Sequence, residues 1–185
     1  MELSGLSPGL YRQAQLAYDK VQHDGHARRE RLVVIDYTRP STEQRLWVFD
    51  LQRQTLLFKE LVAHGKNTGD VKARTFSNVP GSLQTSVGVF VTNEIYQGKH
   101  GKSLRLDGLE LGFNDRARER AIVIHGADYV GDRVVQQQGR LGRSWGCPAL
   151  ATAVASEVID AIADGAVVFA WGNDPAWVAG STYLH

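Results

Sequence analysis

The stretches Leu32-Val-Val-Ile35 and Leu46-Trp-Val-Phe49 decide the fold, because each is a short run of apolar, branched and aromatic residues. Such residues favour extended strands. Residues 55–62 have the same character, and the segment 50–54 before them is short enough to form a hairpin turn. We therefore expect consecutive paired strands in this part of the chain.

Further strands are expected toward the C-terminus, and they settle the fold class. Apolar runs at 87–91, 103–106, 121–124 and 166–171 predict them. Residues 64–86 are rich in Gly, Ser, Thr and Asn and predict a long ordered loop. Many short strands with few helices are typical of a mainly β sandwich or barrel and not of alternating βαβ units.

Two helices are predicted, one before and one within this β region. Ser7 suits a helix N-cap and Pro8 a first helical position, and apolar residues follow at helical spacing until a stop before Gly25. The second helix is predicted to open at Pro148, with an apolar residue at every fourth position and a C-terminal stop at Gly165.

Composition limits the classes of function. The chain has 185 residues, with 21 Lys+Arg against 20 Asp+Glu, a balance that does not favour binding to nucleic acid or to an anionic membrane. No apolar run is long enough to span a membrane, and the first residues lack the charged and apolar regions of a signal peptide. The single cysteine excludes an intramolecular disulfide and is compatible with a reducing or an exported setting.

The chemistry is expected in Ala121-Ile-Val-Ile-His125-Gly126 and in Gly142-Arg-Ser-Trp-Gly-Cys-Pro148. His125 is predicted at the end of an apolar strand, with its ring exposed at the rim of the sheet. Cys147 lies in a glycine-rich loop, where a nearby imidazole and a helix N-terminus would both lower the pKa of its thiol. Gly146 lets its own N–H and that of Cys147 converge as an oxyanion hole. A buried structural cysteine and a structural histidine are the alternatives.

Together these segments resemble the signature of the YkuD-like L,D-transpeptidases, which is a His-Gly pair, a spacer, and then Ser/Thr-His-Gly-Cys. The resemblance covers roughly residues 31–172, and residues 78–90 are similar to the family's Thr-Pro-x-Gly-x-Phe segment. It is strongest for a branch of murein L,D-transpeptidase catalytic domains, whose characteristic stretches are matched by residues 98–101, 103–110 and 142–148.

The resemblance implies roles for the matching residues. Cys147 is the nucleophile, His125 is the general base and later the acid, and Gly126 offers a carbonyl that orients the imidazole. Ser144 matches the family's Ser/Thr and is expected to hydrogen-bond within the loop. Candidates for binding the substrate are Arg143, Arg105, Tyr129, Tyr96, His100 and Lys99, while His64 is expected to end a strand.

The chain also departs from the wider family beside the cysteine. Trp145 stands where most members have a histidine, and Pro148-Ala149 replace an apolar residue and an arginine. We expect Trp145 to line the acceptor side of the cleft.

By resemblance, the substrate is a peptidoglycan stem peptide. Attack on the L-centre of diaminopimelate releases a D-amino acid, and the thioester passes to an amine, which gives a 3-3 cross-link or D-amino-acid exchange. Hydrolysis would make the chain an L,D-carboxypeptidase, and a catalytically idle peptidoglycan-binding module is the alternative from another class. Acylation by carbapenems is expected, no cofactor or metal is implied, and a periplasmic or cell-wall location follows from the substrate.

The resemblance also suggests three parts in the chain. They are an N-terminal helical extension at residues 1–30, a catalytic domain at 31–172 and a C-terminal tail at 173–185. The helix of the extension is expected to dock on the barrel.

Three other enzyme classes are disfavoured by the order and spacing of residues. A sortase needs an arginine after its cysteine, but no Lys or Arg follows Cys147. Papain-like and NlpC-type peptidases place the cysteine before the histidine, and here only His185 follows Cys147. A metal hydrolase needs clustered ligands such as His-Glu-x-x-His, and no such motif occurs.

Overall fold

The computed structural model of the protein describes residues 2–185 and is built around one eight-stranded sheet. The strands are β1 (Arg31–Asp36), β2 (Leu46–Asp50), β3 (Thr55–Glu60), β4 (Gly88–Gly98), β5 (Gly101–Gly108), β6 (Val123–Ala127), β7 (Ala149–Ala151) and β8 (Val167–Trp171). They lie in the order β3-β2-β1-β8-β4-β5-β6-β7. The Ala63 N–H donates to the Ala149 carbonyl at 2.9 Å, which brings the two edges together and nearly closes the sheet. The predicted mainly β, barrel-like class is confirmed.

Both faces of the central strands are buried, which explains their continuous apolar runs. In β1, Val33 and Ile35 face one core, while Leu32 and Val34 face the other. Neighbouring side chains of a strand point to opposite faces, so a strand covered on both sides loses the usual alternation of polar and apolar residues.

Four helices are found in the part of the chain that the structure describes: α1 (Pro8–His23), α2 (Asp132–Gln138), α3 (Thr152–Ile162) and α4 (Pro175–Gly180). Helix α1 packs its buried apolar face against β1 and β8, and α3 packs against β6 on the other side of the sheet. None of these helices is both long and apolar enough to cross a membrane. The division of the chain at residues 30 and 172 stays a prediction.

The predicted elements around the candidate chemistry begin and end elsewhere. The strand predicted at 121–124 begins only at Val123, because Ala121 has a left-handed φ of +52°. It then continues through Gly126 to Ala127, so His125 does not end the strand, and its ring is buried, with 1% exposed. The prediction of an exposed ring at the sheet rim is therefore wrong.

The helix predicted from Pro148 begins later, at Thr152. Residues 149–151 form β7 instead, because they pair in parallel with His125, Gly126 and Ala127. A strand thus separates Cys147 from the helix. The thiol is therefore not at a helix N-terminus, and the prediction that this terminus activates it is wrong.

The C-terminal segment is fastened to the sheet by the buried carboxylate of Glu110. This group accepts hydrogen bonds from the Val89 N–H at 2.7 Å, from the Trp177 indole N–H at 3.0–3.1 Å and from the Ser181 hydroxyl. Trp177 is 0% exposed and Ser181 is 2% exposed. Glu110 therefore joins β4 to the chain that follows β8.

Glu110→Leu should lower the free energy of unfolding by about 3 kcal/mol or more, because each buried donor left without an acceptor costs about 1–3 kcal/mol. The measurement is urea denaturation followed by tryptophan fluorescence. The matched control is Glu119→Leu, which removes an exposed carboxylate near Arg116 and should change stability by less than about 0.5 kcal/mol. Equal stability losses in both variants would contradict the role assigned to Glu110.

Candidate active site

Cys147 and His125 line one cavity of ≈ 270 Å³, in which the β4–β5 hairpin, β6 and the loop before β7 meet. The remaining lining residues are Tyr96, Lys99, His100, Ser103, Arg120, Ala121, Val123, Tyr129, Arg143, Ser144 and Trp145. The two residues predicted to carry the chemistry are 22 positions apart in sequence and are brought together by this fold.

His125 is held as a neutral imidazole with a defined tautomer. Its Nδ1 lies 2.8 Å from the Gly126 carbonyl oxygen. A carbonyl oxygen only accepts, so Nδ1 carries the proton and Nε2 is left with a free lone pair. Burial lowers the pKa of His125, and the nearby His100 and Lys99 lower it further, against the opposing effect of the Gly126 carbonyl. Nε2 is therefore available as a base at neutral pH.

The thiol of Cys147 is held in its neutral form. Its Sγ accepts from the Val123 N–H at 3.4 Å and donates to the Ala121 carbonyl at 3.5 Å. Burial raises the pKa of Cys147, while the Val123 N–H and the cations of Arg120 and Lys99 act in the opposite direction. The prediction of a lowered thiol pKa is therefore wrong for the resting protein.

In residues 2–185, no hydrogen bond joins the thiol of Cys147 to the imidazole of His125. The two groups share the cavity as a neutral acid and a neutral base. Catalytic hydrogen bonds are often long in unliganded enzymes and tighten when substrate binds, so this spacing is compatible with proton transfer in a complex.

The hydroxyl of Ser144 shapes the loop before Cys147 through hydrogen bonds within the loop, as expected from the sequence. This hydroxyl donates to the Cys147 carbonyl at 2.6 Å and accepts from the Gly146 N–H at 3.1 Å. Gly146 has a φ of +125°, and a Cβ there would lie 2.7 Å from the Gln84 carbonyl oxygen, so only glycine fits.

The predicted pair of oxyanion donors is not formed. The Gly146 N–H is already bound to Ser144 and does not face the cavity as a free donor. The Cys147 N–H has no acceptor within residues 2–185, so one of the two predicted donors remains available. Among residues 2–185, the Cys147 N–H is thus the one predicted oxyanion donor that is still free.

A buried polar network supports this loop from behind. The Ser144 N–H donates to the His64 carbonyl at 3.0 Å, and the Lys66 N–H donates to the Ser144 carbonyl at 2.7 Å. The guanidinium of Arg45 donates to His64 Nδ1 at 2.8 Å, so His64 Nε2 carries the proton and donates to the Gly69 carbonyl at 3.2 Å. His64 does not line the cavity, as expected, but it follows the end of β3 by four residues and does not end that strand.

Arg120 is the charged lining residue that sequence reasoning missed. It donates hydrogen bonds to the carbonyls of Ser77 and Gln84 and to the hydroxyls of Ser82 and Ser86. In the sequence it belongs to the charged run 116–120, which is typical of a solvated surface, and no local signal separates it from its neighbours. It fastens the long loop 64–86 to the wall of the cavity.

Most of the predicted substrate-binding residues reach the cavity. Tyr96, Tyr129, His100 and Arg143 line it, as does Lys99. Arg105 does not, because its guanidinium pairs with Glu94 at 3.0 Å and lies over the ring of Tyr96 at 4.2 Å. Trp145 is 68% exposed at the cavity mouth, with the Lys99 ammonium 4.7 Å from its ring centroid.

The cavity carries a positive charge. Lys99, Arg120 and Arg143 line it, and no Asp or Glu among residues 2–185 does so. Such a surface favours an anionic ligand. Within the same residues, no group of three His, Cys, Asp or Glu side chains is arranged to bind a metal ion.

Comparison with known proteins identifies the family. Residues 2–171 match the family model described as the L,D-transpeptidase catalytic domain. The helical cell shape determining protein Pgp2 from Campylobacter jejuni is 13% identical, with a TM-score of 0.52 over 86% of this chain and 57% of Pgp2, and the likeness shows a shared fold. An L,D-transpeptidase from Mycobacterium smegmatis is 17% identical, with a TM-score of 0.46 over 77% of this chain and 59% of that protein. The chain thus spans less than three fifths of each. No curated protein matches it.

The neutral state of His64 makes stability depend on pH. Burial, followed by the charge of Arg45, lowers the pKa of His64 to about 4, against an ordinary value of about 6.5. As the pH falls from 6.5 to 4, His64 binds a proton in the unfolded chain but stays neutral in the folded protein. The contribution to stability is therefore complete above pH 6.5 and decreases by roughly 3 kcal/mol toward pH 4.

His64→Gln should remove this contribution to the pH dependence, because a glutamine side chain can accept from Arg45 and donate to Gly69 without titrating. The measurement is the free energy of unfolding in urea at pH 7, 5.5 and 4. The difference in the free energy of unfolding between wild type and His64→Gln should narrow or change sign as the pH falls. The control is His23→Gln, on the exposed side of α1. Parallel curves for wild type and His64→Gln would refute the assignment.

Proposed function

The chain belongs to the family of L,D-transpeptidase catalytic domains, and we propose that it is a cysteine-dependent L,D-transpeptidase acting on peptidoglycan stem peptides. One observation carries the proposal: the single cysteine of the chain shares a cavity with a buried histidine whose free Nε2 is basic. We assign the catalytic domain to residues 31–172, with the extension at 1–30 and the tail at 173–185 as its supports. A periplasmic or cell-wall location follows from this substrate.

In the proposed acylation step, His125 Nε2 removes the proton from Cys147 as the sulfur attacks the carbonyl carbon on the L-centre of the donor stem. The thiol and the imidazole are both neutral at rest, so the thiolate and imidazolium form together only when a substrate is in place. The Cys147 N–H donates to the developing oxyanion. The C–N bond then breaks, the D-amino acid takes the proton from His125, and a thioester remains.

In the second step, an amine attacks the thioester carbonyl and His125 accepts its proton. The sulfur leaves as a thiolate, which the imidazolium reprotonates. An amine from a second stem gives a 3-3 cross-link, and a free D-amino acid gives exchange. Water in place of the amine makes the same site an L,D-carboxypeptidase. The Gly126 carbonyl supports both steps, because it stabilises the imidazolium through Nδ1–H.

The charge of the cavity supports an acidic peptide as the donor. Lys99, Arg120 and Arg143 line the cavity, and a stem peptide carries carboxylates that these cations would attract. Arg143 also pairs with Asp70 at 3.8 Å, but Asp70 does not line the cavity. Arg143 is the best placed of them, since it belongs to the same loop as Cys147.

A second candidate function is a catalytically idle module that binds peptidoglycan. The raised pKa of Cys147 and the lack of a hydrogen bond between its thiol and His125 within residues 2–185 favour this alternative. The two candidates differ in whether the thiol forms a covalent bond with substrate-like acyl donors.

Incubation with a carbapenem should yield a covalent adduct on the wild-type protein and none on Cys147→Ala, as measured by intact-protein mass. Cys147→Ala should also lose turnover of purified muropeptides while keeping its circular dichroism spectrum. His125→Ala should lower turnover on the order of a hundredfold or more, because it removes the base. Full turnover by Cys147→Ala would exclude the mechanism. The lack of an adduct in wild type, with slow alkylation of the thiol, would favour the binding module.

Trp145 is proposed to shape the acceptor side, because its exposed indole lies next to the nucleophile. Trp145→His should change the ratio of cross-linked to hydrolysed products, measured by chromatography and mass spectrometry of digested muropeptides. Trp145→Phe, which keeps an aromatic ring, should retain the wild-type ratio more closely. An unchanged ratio in Trp145→His would end this assignment.

A further inference from the structure

The turn of the β4–β5 hairpin touches both walls of the cavity. Gly98 and Gly101 form the last pair of the hairpin, so Lys99 and His100 are the two residues of its turn. The imidazole of His100 stacks on that of His125, with ring centroids 4.2 Å apart and an angle of 13° between the planes. The ammonium of Lys99 lies over the indole of Trp145.

The orientation of His125 needs more than its hydrogen bond. The contact of Nδ1 with the Gly126 carbonyl fixes one edge of the ring and leaves the ring free to tilt about that bond. A flat neighbour against one face removes this freedom. The ring of His100 supplies such a neighbour and stands between His125 and solvent, since His100 is exposed and His125 is buried.

We propose that His100 is a positioning residue, whose imidazole holds the plane of His125 in the orientation required for proton transfer with Cys147. The proposal rests on the proposed function, since it concerns the same base. His100 itself touches neither the thiol nor the scissile bond in this assignment. It acts through the ring it covers.

The backbone conformation of the turn places the side chain of His100 against His125. Gly101 has a left-handed φ of +77°, which favours glycine. A Cβ on Gly98 would lie 2.8 Å from the ring of Tyr96, so a larger residue there would displace this ring, which lines the cavity. Ser103 of β5 lies opposite His125 of β6 in the sheet register, which sets the hairpin beside the base.

The stack also has an electrostatic consequence that agrees with this role. Burial lowers the pKa of His125, and the neighbouring side chains of His100 and Lys99 lower it further. The pair therefore favours the neutral, basic form of His125, which is the form that the proposed acylation needs.

His100→Ala, His100→Phe and Gln97→Ala test the proposal. His100→Ala removes the stacked ring and should lower kcat about tenfold with little change in KM, since small misplacements of a catalytic group cost about 10–100-fold in rate. His100→Phe keeps a flat ring and should restore kcat to near the wild-type value. Gln97→Ala, at an exposed position of the same hairpin, should match wild type.

The overturning results are distinct. Wild-type kcat in His100→Ala, or a His100→Phe variant as slow as His100→Ala, would refute positioning by a stacked ring. A higher KM at unchanged kcat would show that His100 binds substrate instead.

A second readout separates this proposal from the proposed function. Nitrogen-15 NMR of the histidine rings in the resting protein should show sharp His125 signals in wild type and His100→Phe, and signals broadened by ring reorientation in His100→Ala, while the Gly126 carbonyl keeps the same tautomer in all three. If wild type turns over no stem peptide, the proposed function fails, but this measurement still tests whether His100 positions the ring of His125. Identical His125 signals in wild type and His100→Ala would then overturn the positioning role.

Discussion

The buried guanidinium of Arg45 is the constraint on which the arrangement of the site depends. Arg45 is 0% exposed, and its hydrogen bonds go to the Val62 and Arg39 carbonyls and to His64 Nδ1. Desolvation lowers the pKa of Arg45 to about 10, which leaves the guanidinium charged at neutral pH, and these acceptors satisfy its buried N–H groups. His64 in turn holds Ser144, and Ser144 holds the carbonyl of Cys147. A chain of polar contacts thus connects the start of β2 to the nucleophile.

The site combines a rigid frame with a histidine and a cysteine that are both neutral at rest. His125 is fixed within a strand, and the loop of Cys147 is fixed by a hydroxyl and by a glycine that no other residue can replace. Burial keeps the imidazole and the thiol neutral. In the proposed mechanism, the anionic substrate enters a cavity of positive charge and completes the environment in which the proton moves. Cys147 then becomes reactive only in the complex with substrate. In the free protein, the neutral form of its thiol protects it from alkylation and oxidation.

Sequence patterns predicted the parts that local composition controls. The apolar runs of β1, β2 and β8 were found because both faces of these strands are buried, and the motifs around His125 and Cys147 led to one cavity. The errors concern long-range contacts. The extension of β6 and the delayed start of α3 both arise from pairing with β7, which is invisible in a local window. The contacts of Arg120 and the desolvation of Cys147 likewise depend on which distant segments surround them.

The place of β8 in the sheet has a consequence for how the molecule is made. This strand is the last in the chain, yet it lies between β1 and β4, with parallel pairing to one and antiparallel pairing to the other. Until residues 167–171 leave the ribosome, β1 and β4 each have an open edge, and the bridges Ala63–Ala149 and Gly65–Ser144 join the two halves of the sheet at the opposite side. Contacts between segments so distant in sequence form slowly. A translation product that stops before β8 would therefore hold the residues that line the cavity, all of which precede β8, in a sheet that is open between β1 and β4.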